Sequence, residues 1–190
     1  LYGSDCDFFT AKGMVEQLLD TLFISNYEFE ASSDEYAYHP GRCAHIMIDD
    51  TVIGVIGEIH PKVAENYGIN ERILCFTLDV DSLFAHTQTN ATYTPLPKFP
   101  AVTRDLALIC DETIPVRMLE KAITKGAGNL LETIQLFDVY QGEQIESGKK
   151  SVAFNIVLRS AENTLAEEQV NSTMKKVMKE LEKVGASLRV

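Results

Sequence analysis

The sequence predicts an α+β protein of two domains, and three observations support this prediction. The length of 190 residues is enough for two small hydrophobic cores. After residue 93, strand-like and helix-like patterns follow one another in the order β-α-β-β-α-β. Charge also changes along the chain: residues 1–92 contain 4 Lys and Arg against 15 Asp and Glu (net −11), whereas residues 93–190 contain 13 of each (net 0). We therefore expect domains at 1–92 and 93–190, joined within the polar, proline-rich segment 86–100.

Composition restricts the class of protein further. Hydrophobic residues make up 45 % of the chain, which favours packed cores over disorder. No apolar run approaches the roughly 20 residues of a membrane span, and no basic leader precedes an apolar segment. Because the chain begins at Leu1 and not Met, we expect a fragment or a processed product. Four scattered cysteines without a CxxC pair predict free thiols in a reducing cytoplasm.

The first domain opens with a predicted helix over residues 8–23, preceded by Asp7 as its N-cap. Its apolar residues recur at i, i+3, i+4 and i+7. They are Val15, Leu18, Leu19 and Leu22. Strands are predicted at 27–31 and, near the end of the domain, at 73–80.

Between these strands the sequence predicts a hairpin and a short helix. Apolar runs 43–48 and 52–59 flank the polar connection 49–51, which is typical of two paired strands. Pro61 suits the first turn of a helix, and Gly68 is suited to end it.

The second domain begins with a predicted strand at 105–110 and a helix that opens at Pro115 and stops at Gly126 or Gly128. Its inward residues are expected to be Leu119, Ala122 and Ile123. A second strand at 132–140 follows.

A turn at 142–148 then leads to a third strand at 151–159. The segment Thr164-Leu165-Ala166-Glu167 fits a capping box and predicts the start of a second helix. Gly185 is predicted to end this helix, and 186–190 to form a last strand. The helix is expected to bury Val170, Met174, Val177, Met178, Leu181 and Val184. This order is the split βαβ, or ferredoxin-like, motif.

Both helices of this motif cover one face of the sheet, so the other face is predicted to bind a partner. In the third strand Val152, Phe154, Ile156 and Leu158 alternate toward the helices, as do Leu106 and Leu108 in the first. Tyr140 is a candidate for stacking on unpaired bases, and Phe137 is assigned to the core. The remaining RNA-binding candidates are Lys149, Lys150, Asn155 and Arg159.

Several phrases of the sequence resemble one family in order. FPAVTRD (99–105), LLETIQLFDVYQG (130–142), GKKSVAFNI (148–156) and TLAEEQVN (164–171) resemble the anticodon-binding domain of the phenylalanyl-tRNA synthetase beta chain. DFFTAKG (7–13), HPGRCAHI (39–46), IGVIGEIHPKV (53–63) and FTLDVDSL (76–83) resemble the end of the class II-like core domain that precedes it.

The resemblance implies a role in binding tRNA rather than in catalysis. Residues 1–92 would be the C-terminal part of a non-catalytic class II synthetase-like domain, and residues 93–190 a ferredoxin-fold anticodon-binding domain. The whole enzyme would be a cytoplasmic phenylalanine–tRNA ligase of two alpha and two beta chains. It would use ATP and magnesium, with no catalytic residue, metal or cofactor in this fragment.

Other functions are weaker alternatives. One alternative is a metal-dependent hydrolase with a metal site formed by His39, Cys43, His45 and His60. The spacing of these residues matches no common zinc signature. Another alternative is a general-base pair of Glu58 and His60, whose side chains are predicted to lie on the same face of one strand. An ATP site is disfavoured because residues 1–92 hold only two arginines, Arg42 and Arg72. A ferredoxin-like regulatory module that binds a metabolite, and an assembly module without RNA binding, also stay open.

Overall fold

The computed structural model describes residues 1–3, 6–87, 95–142 and 144–189. The chain forms two compact units, Leu1–Tyr93 and Thr94–Val190, and each has its own hydrophobic core. The boundary predicted near residue 92 lies outside the described residues. Within the described part of the chain, no helix is both long enough and apolar enough to cross a membrane.

The first unit is a four-stranded antiparallel sheet in the order β1-β2-β3-β4. Helix α1 packs its buried residues into the core beside the inward residues of the sheet. The elements are α1 (Phe8–Thr21), β1 (Tyr27–Ala31), β2 (Tyr38–Ile48), β3 (Thr51–Ile59), α2 (Pro61–Asn66), β4 (Leu74–Leu78) and α3 (Val80–His86).

Helix α1 begins as predicted and differs in the residues it buries. The Asp7 carboxylate accepts a hydrogen bond from an amide of the first turn at 2.7 Å, which confirms the N-cap. Ala11, Val15 and Leu19 are buried, whereas Leu18 is 38 % exposed. The inward stripe therefore runs from Ala11 at i, i+4 and i+8, and Leu18 of the predicted apolar face lies at its exposed edge.

The hairpin of β2 and β3 is confirmed and has a two-residue loop. Asp49 and Asp50 have φ angles of 47° and 63°, the left-handed pair that closes a type I′ turn. The strand predicted at 73–80 ends at Leu78, because Asp79 caps a helix that sequence patterns missed. The Asp79 carboxylate accepts from the Ser82 amide at 2.6 Å and starts α3.

Tyr27 links β1 to α1, and its ionisation tests this contact. Its hydroxyl donates to the Asp20 carboxylate at 3.1 Å, and burial together with this carboxylate raises the pKa of Tyr27 to about 12. Because the folded-state pKa exceeds the unfolded value of about 10, this contribution to stability is present below pH 10 and lost as pH rises through 12. We expect an alkaline absorbance titration to show a tyrosinate forming near pH 12 that Tyr27→Phe removes. Persistence of that transition in the variant would contradict the assignment.

The second unit confirms the predicted ferredoxin-like order. Its antiparallel sheet has the order β6-β7-β5-β8, and α4 and α5 pack on one face of it. Its elements are β5 (Val102–Asp111), α4 (Val116–Ala127), a short 3-10 turn (Gly128–Leu130), β6 (Leu131–Tyr140), β7 (Lys149–Leu158), α5 (Glu167–Lys183) and β8 (Ser187–Leu188).

The core of the second unit is the predicted one. The inward residues of β7 and β5 are 0–3 % exposed and lie with the buried residues of α4 and α5. The two helices approach closely at Gly126, where an added Cβ would lie 2.5 Å from the Cα of Val177. The backbone of α5 therefore excludes any side chain at position 126, and no rotamer change can make room for one.

The start of α5 differs from the predicted capping box. The N-cap is Ala166, and the side chain of Gln169 accepts from its amide at 3.0 Å. Thr164 lies two residues before the N-cap and does not cap the helix, so only the reciprocal half of the motif forms. Gly185 ends α5 with a φ of 80°, as predicted, and β8 is shorter than expected. Val190 lies outside the described residues.

Candidate nucleic-acid interface

The face of the second sheet opposite the helices is formed by every second residue of three paired strands. We call it the open sheet face. From β7 it takes Ser151, Ala153, Asn155 and Val157; from β5 Ile109, Ala107, Asp105 and Thr103; from β6 Tyr140, Asp138, Gln135 and Thr133. The registers confirm the outward set predicted for β7.

The open sheet face has small residues at its centre and polar groups around them. Ala153 pairs with Ala107 on one side and with Asp138 on the other. Ser151 pairs with Tyr140 and Ile109 in the next row. Of these small residues, Ser151 is 4 % exposed and Ala153 is 9 % exposed, so both are buried.

One end of this face is covered, which corrects the expectation that it is free. The Arg189 guanidinium, beyond β8, lies 3.5 Å from the Gln144 side chain in the connection between β6 and β7. Ile145 in the same connection is 9 % exposed yet lies outside the core under the helices. Because β8 is two strands away from β7, we infer that this connection reaches across the end of the open sheet face.

The predicted phosphate ligand Lys150 does not lie on the open sheet face. It pairs with Cys110 and alternates toward the helices, where it is 8 % exposed. Its ammonium donates to the Glu112 carbonyl at 3.0 Å. Lys150 thus provides a hydrogen bond to a backbone carbonyl just after the end of β5.

The other predicted polar ligands have acidic or carbonyl partners. Lys149 is exposed and donates to Glu146 at 2.5 Å, which raises the pKa of Lys149 and lowers that of Glu146. The Nε of Arg159 lies 2.8 Å from Glu132, and its Nη1 donates to the Phe99 carbonyl.

Asn155 is likewise engaged, because its amide donates to Asp105 at 2.7 Å. With Asp105 and Asp138 in its rows, the open sheet face is polar and not cationic. It is suited to base edges and rings more than to phosphates.

Tyr140, the predicted stacking residue, lies on the open sheet face at the end that the connection between β6 and β7 reaches. It is half-buried at the end of β6, next to Ser151. A Cβ added at Gly142 would lie 2.4 Å from the Tyr140 hydroxyl oxygen, so the ring rests against this glycine. Gly142 was missed as a positioning residue, because only the folded turn brings it against the ring.

Phe137 corrects the sequence prediction. It is the extra residue of a bulge, since Leu136 pairs with Phe154 and the next pair is Asp138 with Ala153. The bulge leaves Phe137 57 % exposed, and it does not enter the core. It also reverses the alternation of β6, which places Asp138 and Tyr140 together on the open sheet face.

The histidines of the first unit serve local structure. The rings of His39 and His60 stack with centroids 6.4 Å apart, and each Nδ1 accepts a backbone amide. His45 Nε2 lies 3.0 Å from Glu35. Burial raises the pKa of the Cys43 thiol. In the part of the chain that the structure describes, no three His, Cys, Asp or Glu residues are grouped to hold a metal ion.

The proposed Glu58–His60 general-base pair is wrong. The buried Glu58 carboxylate binds Arg42 at 2.7 Å and Arg72 at 3.2 Å, and His60 is the N-cap of α2. Both arginines of the first unit are thus bound to one carboxylate. Glu58 also lines a cavity of about 300 Å³ beside α2.

Comparison with known proteins gives the same assignment for both units. Residues 97–189 match the model of the ferredoxin-fold anticodon binding domain, and residues 2–80 match the phenylalanyl tRNA synthetase beta chain CLM domain. Among solved structures, Arabidopsis thaliana MSL1 is similar at a TM-score of 0.32 and 13 % identity over 96 % of this chain and 64 % of that one, too low to carry an argument.

Two curated relatives are similar along nearly the whole of this chain. The phenylalanine–tRNA ligase beta subunit of Clostridium acetobutylicum is 41 % identical over 100 % of this chain and 24 % of its own length. That of Bacillus subtilis is 44 % identical over 93 % of this chain and 22 % of its own length. The chain thus spans about a quarter of the length of these relatives. With two matching domain models in succession and relatives at this identity along its length, the chain belongs to the phenylalanyl-tRNA synthetase beta chain family.

Proposed function

We propose that the chain is the non-catalytic, tRNA-binding and assembly portion of the beta subunit of phenylalanine–tRNA ligase. The whole enzyme would attach phenylalanine to its tRNA with ATP and magnesium, as two alpha and two beta chains in the cytoplasm. The domain predicted at residues 93–190, which corresponds to the second unit, would bind the anticodon region of the tRNA. Family membership and the geometry of the open sheet face support this proposal.

The observation that carries the proposal is the half-buried Tyr140 ring on the same side of β6 as the exposed Asp138 carboxylate. An aromatic ring next to small residues offers a surface on which an unpaired base can stack. The neighbouring Asp138 carboxylate is exposed and offers a hydrogen-bond acceptor to the base edge. Since the surrounding cations are paired, this face would contribute base contacts and leave much of the phosphate attraction to other parts of the enzyme.

The non-catalytic role of the first unit is supported by its two arginines. Arg42 and Arg72 bind Glu58 and are not available to hold ATP phosphates. The acidic balance of residues 1–92 also opposes a triphosphate. ATP and magnesium would therefore bind elsewhere in the assembled enzyme.

An assembly role is supported by the apolar surface of α1. Phe9 is 74 % exposed, Met14 47 % and Leu18 38 %. Exposed apolar groups on one helix are typical of a surface covered by a partner. We propose that the alpha subunit, or the rest of the beta chain, covers them. Cytoplasmic location is supported by the free thiols of the described cysteines, of which Cys43 and Cys110 are buried.

Tyr140→Ala tests base stacking. Loss of one stacked base costs about 1–3 kcal/mol, so we expect affinity for the anticodon stem-loop of phenylalanine tRNA to fall about 5- to 150-fold. Fluorescence anisotropy with a labelled stem-loop measures this, and Tyr140→Phe should keep most of the affinity.

The matched control is Tyr67→Ala, since Tyr67 is 79 % exposed in the first unit. Gly142→Ala is the second arm: it should displace the Tyr140 ring and lower affinity without changing the melting temperature. In the double variant, Gly142→Ala should reduce affinity little beyond the loss caused by Tyr140→Ala alone, because both substitutions remove the same stacking contact. Equal affinities of wild type and Tyr140→Ala would refute the stacking role.

A further inference from the structure

Seven of the 13 Lys and Arg residues of residues 93–190 lie on helices α4 and α5. Within α4 and the last three turns of α5, six exposed lysines accompany the carboxylates of Glu180 and Glu182. We call these six the lysine patch: Lys121, Lys125, Lys175, Lys176, Lys179 and Lys183. Six lysines against Glu180 and Glu182 leave an excess of four positive charges in this part of the two helices, since Arg117 and Glu120 form an ion pair within α4. Glu167 and Glu168 at the start of α5 reduce the net charge of the two helices together to +2.

The packing of the helices brings these lysines together. Lys125 of α4 lies 3.0 Å from Glu180 of α5, and Lys183 binds the same carboxylate. Gly126 contacts the backbone of Lys176, so the two helices run close beside each other here. Lys179 lies three residues after Lys176 and four before Lys183, on one side of α5.

The carboxylate at the centre neutralises only part of this charge. Glu180 is 19 % exposed beneath Lys125 and Lys183, which are 71 % and 60 % exposed. Hydrogen bonds from Lys183 and Lys125 lower the pKa of Glu180. Its single negative charge faces two ammonium groups, and the ammonium groups reach solvent.

We propose that the lysine patch is a second RNA-binding surface that holds phosphates without reading bases. It lies across the sheet from the open sheet face, so it contacts a different stretch of RNA from the bases near Tyr140. The proposal rests on the charge distribution of α4 and α5 and stands apart from the function proposed above.

Nucleic acid is the partner that fits this surface best. The lysines of α5 lie within nine residues, a span of roughly 12 Å of helix at about 1.5 Å per residue. Duplex nucleic acid carries about one charge per 1.7 Å of its axis, and binding releases its condensed counterions. An acidic protein gains only about 0–1 kcal/mol from each exposed ion pair.

The test uses the whole chain and a labelled 16-base-pair RNA duplex without an anticodon loop, with anisotropy measured from 50 to 200 mM salt. K176Q/K179Q should weaken binding at 50 mM salt several-fold and make the log–log salt slope shallower by about 1.4–1.8, from two lost phosphate contacts. K62Q/K98Q, which removes two exposed lysines outside the patch, should leave both values unchanged.

Three outcomes would overturn the proposal: no duplex binding at 50 mM salt, equal losses in the two double variants, or displacement of the duplex by polyglutamate at an equal concentration of charge. The last would identify a surface for an acidic protein. Tyr140→Ala separates this test from that of the proposed function, since it should weaken stem-loop binding and leave duplex binding intact.

Discussion

Replacing Phe154 with Ala is expected to destabilise the second unit by about 3–5 kcal/mol, the usual cost of removing a fully buried phenyl ring. Phe154 is 0 % exposed in the centre of β7, between Leu106 and Leu136 on the flanking strands. The cavity would lie between the sheet and both helices, where neighbouring backbone is held by pairing on both sides. Urea unfolding followed by circular dichroism measures the change in free energy.

Phe137→Ala is the matched control, because it deletes the same ring from the adjacent strand. Phe137 is 57 % exposed, so its removal should cost less than about 1 kcal/mol. Equal losses for the two variants would show that Phe137 is packed into the core, contrary to the bulge of β6.

Gly126→Ala is expected to destabilise the second unit by about 1–3 kcal/mol, even though alanine is the better helix former. The added Cβ would lie 2.5 Å from the Cα and 2.8 Å from the amide nitrogen of Val177. These are backbone atoms, so no rotamer change removes the overlap and α4 must move away from α5. The midpoint of urea unfolding should therefore fall.

Gly13→Ala provides the opposite result in the same protein. Gly13 lies in α1, and a Cβ there would meet nothing within 4 Å. The substitution should stabilise the first unit by about 0.5–1 kcal/mol, because it removes conformational freedom from the unfolded chain. If both substitutions increased the free energy of unfolding, helix propensity would decide the outcome at Gly126. The close approach of α4 to α5 would then not be the deciding factor.

The proposals for the two surfaces of the second unit divide RNA binding between them. The open sheet face has a ring, small residues and carboxylates, which suit unpaired bases. The lysine patch has the positive charge, which suits phosphates. A balanced total charge over residues 93–190 concealed this separation, because composition does not record on which face a side chain lies.

Local patterns were sufficient for most elements of the fold. The Asp7 cap, the alternation of β7 and the inward stripe of α4 depend on neighbours a few residues apart, and the structure confirms each of them. The family phrases were recognisable for the same reason, since much of FPAVTRD and GKKSVAFNI forms strands whose inward residues are core.

The candidate site depended on contacts between distant residues, and there sequence patterns were less reliable. Lys150 and Lys149 are adjacent in sequence, yet one donates to the Glu112 carbonyl and the other to Glu146. Arg159 is bound by Glu132 of the adjacent strand, so its charge is not free for a phosphate. Glu112 and Glu132 are 38 and 27 residues away from the side chains that they bind, so these partners do not follow from spacing along the chain.

The sequence by itself determined the family, the two-domain organisation of the chain and the order of its helices and strands, because these follow from short-range periodicity, capping and turn residues. Only the tertiary structure decided which residues share each candidate surface. The bulge at Phe137 reverses the alternation of β6 and brings Tyr140 and Asp138 to the open sheet face. The approach of α4 to α5 at Gly126 assembles the lysine patch. Both depend on register and packing between segments far apart in the chain, and a local pattern does not encode these.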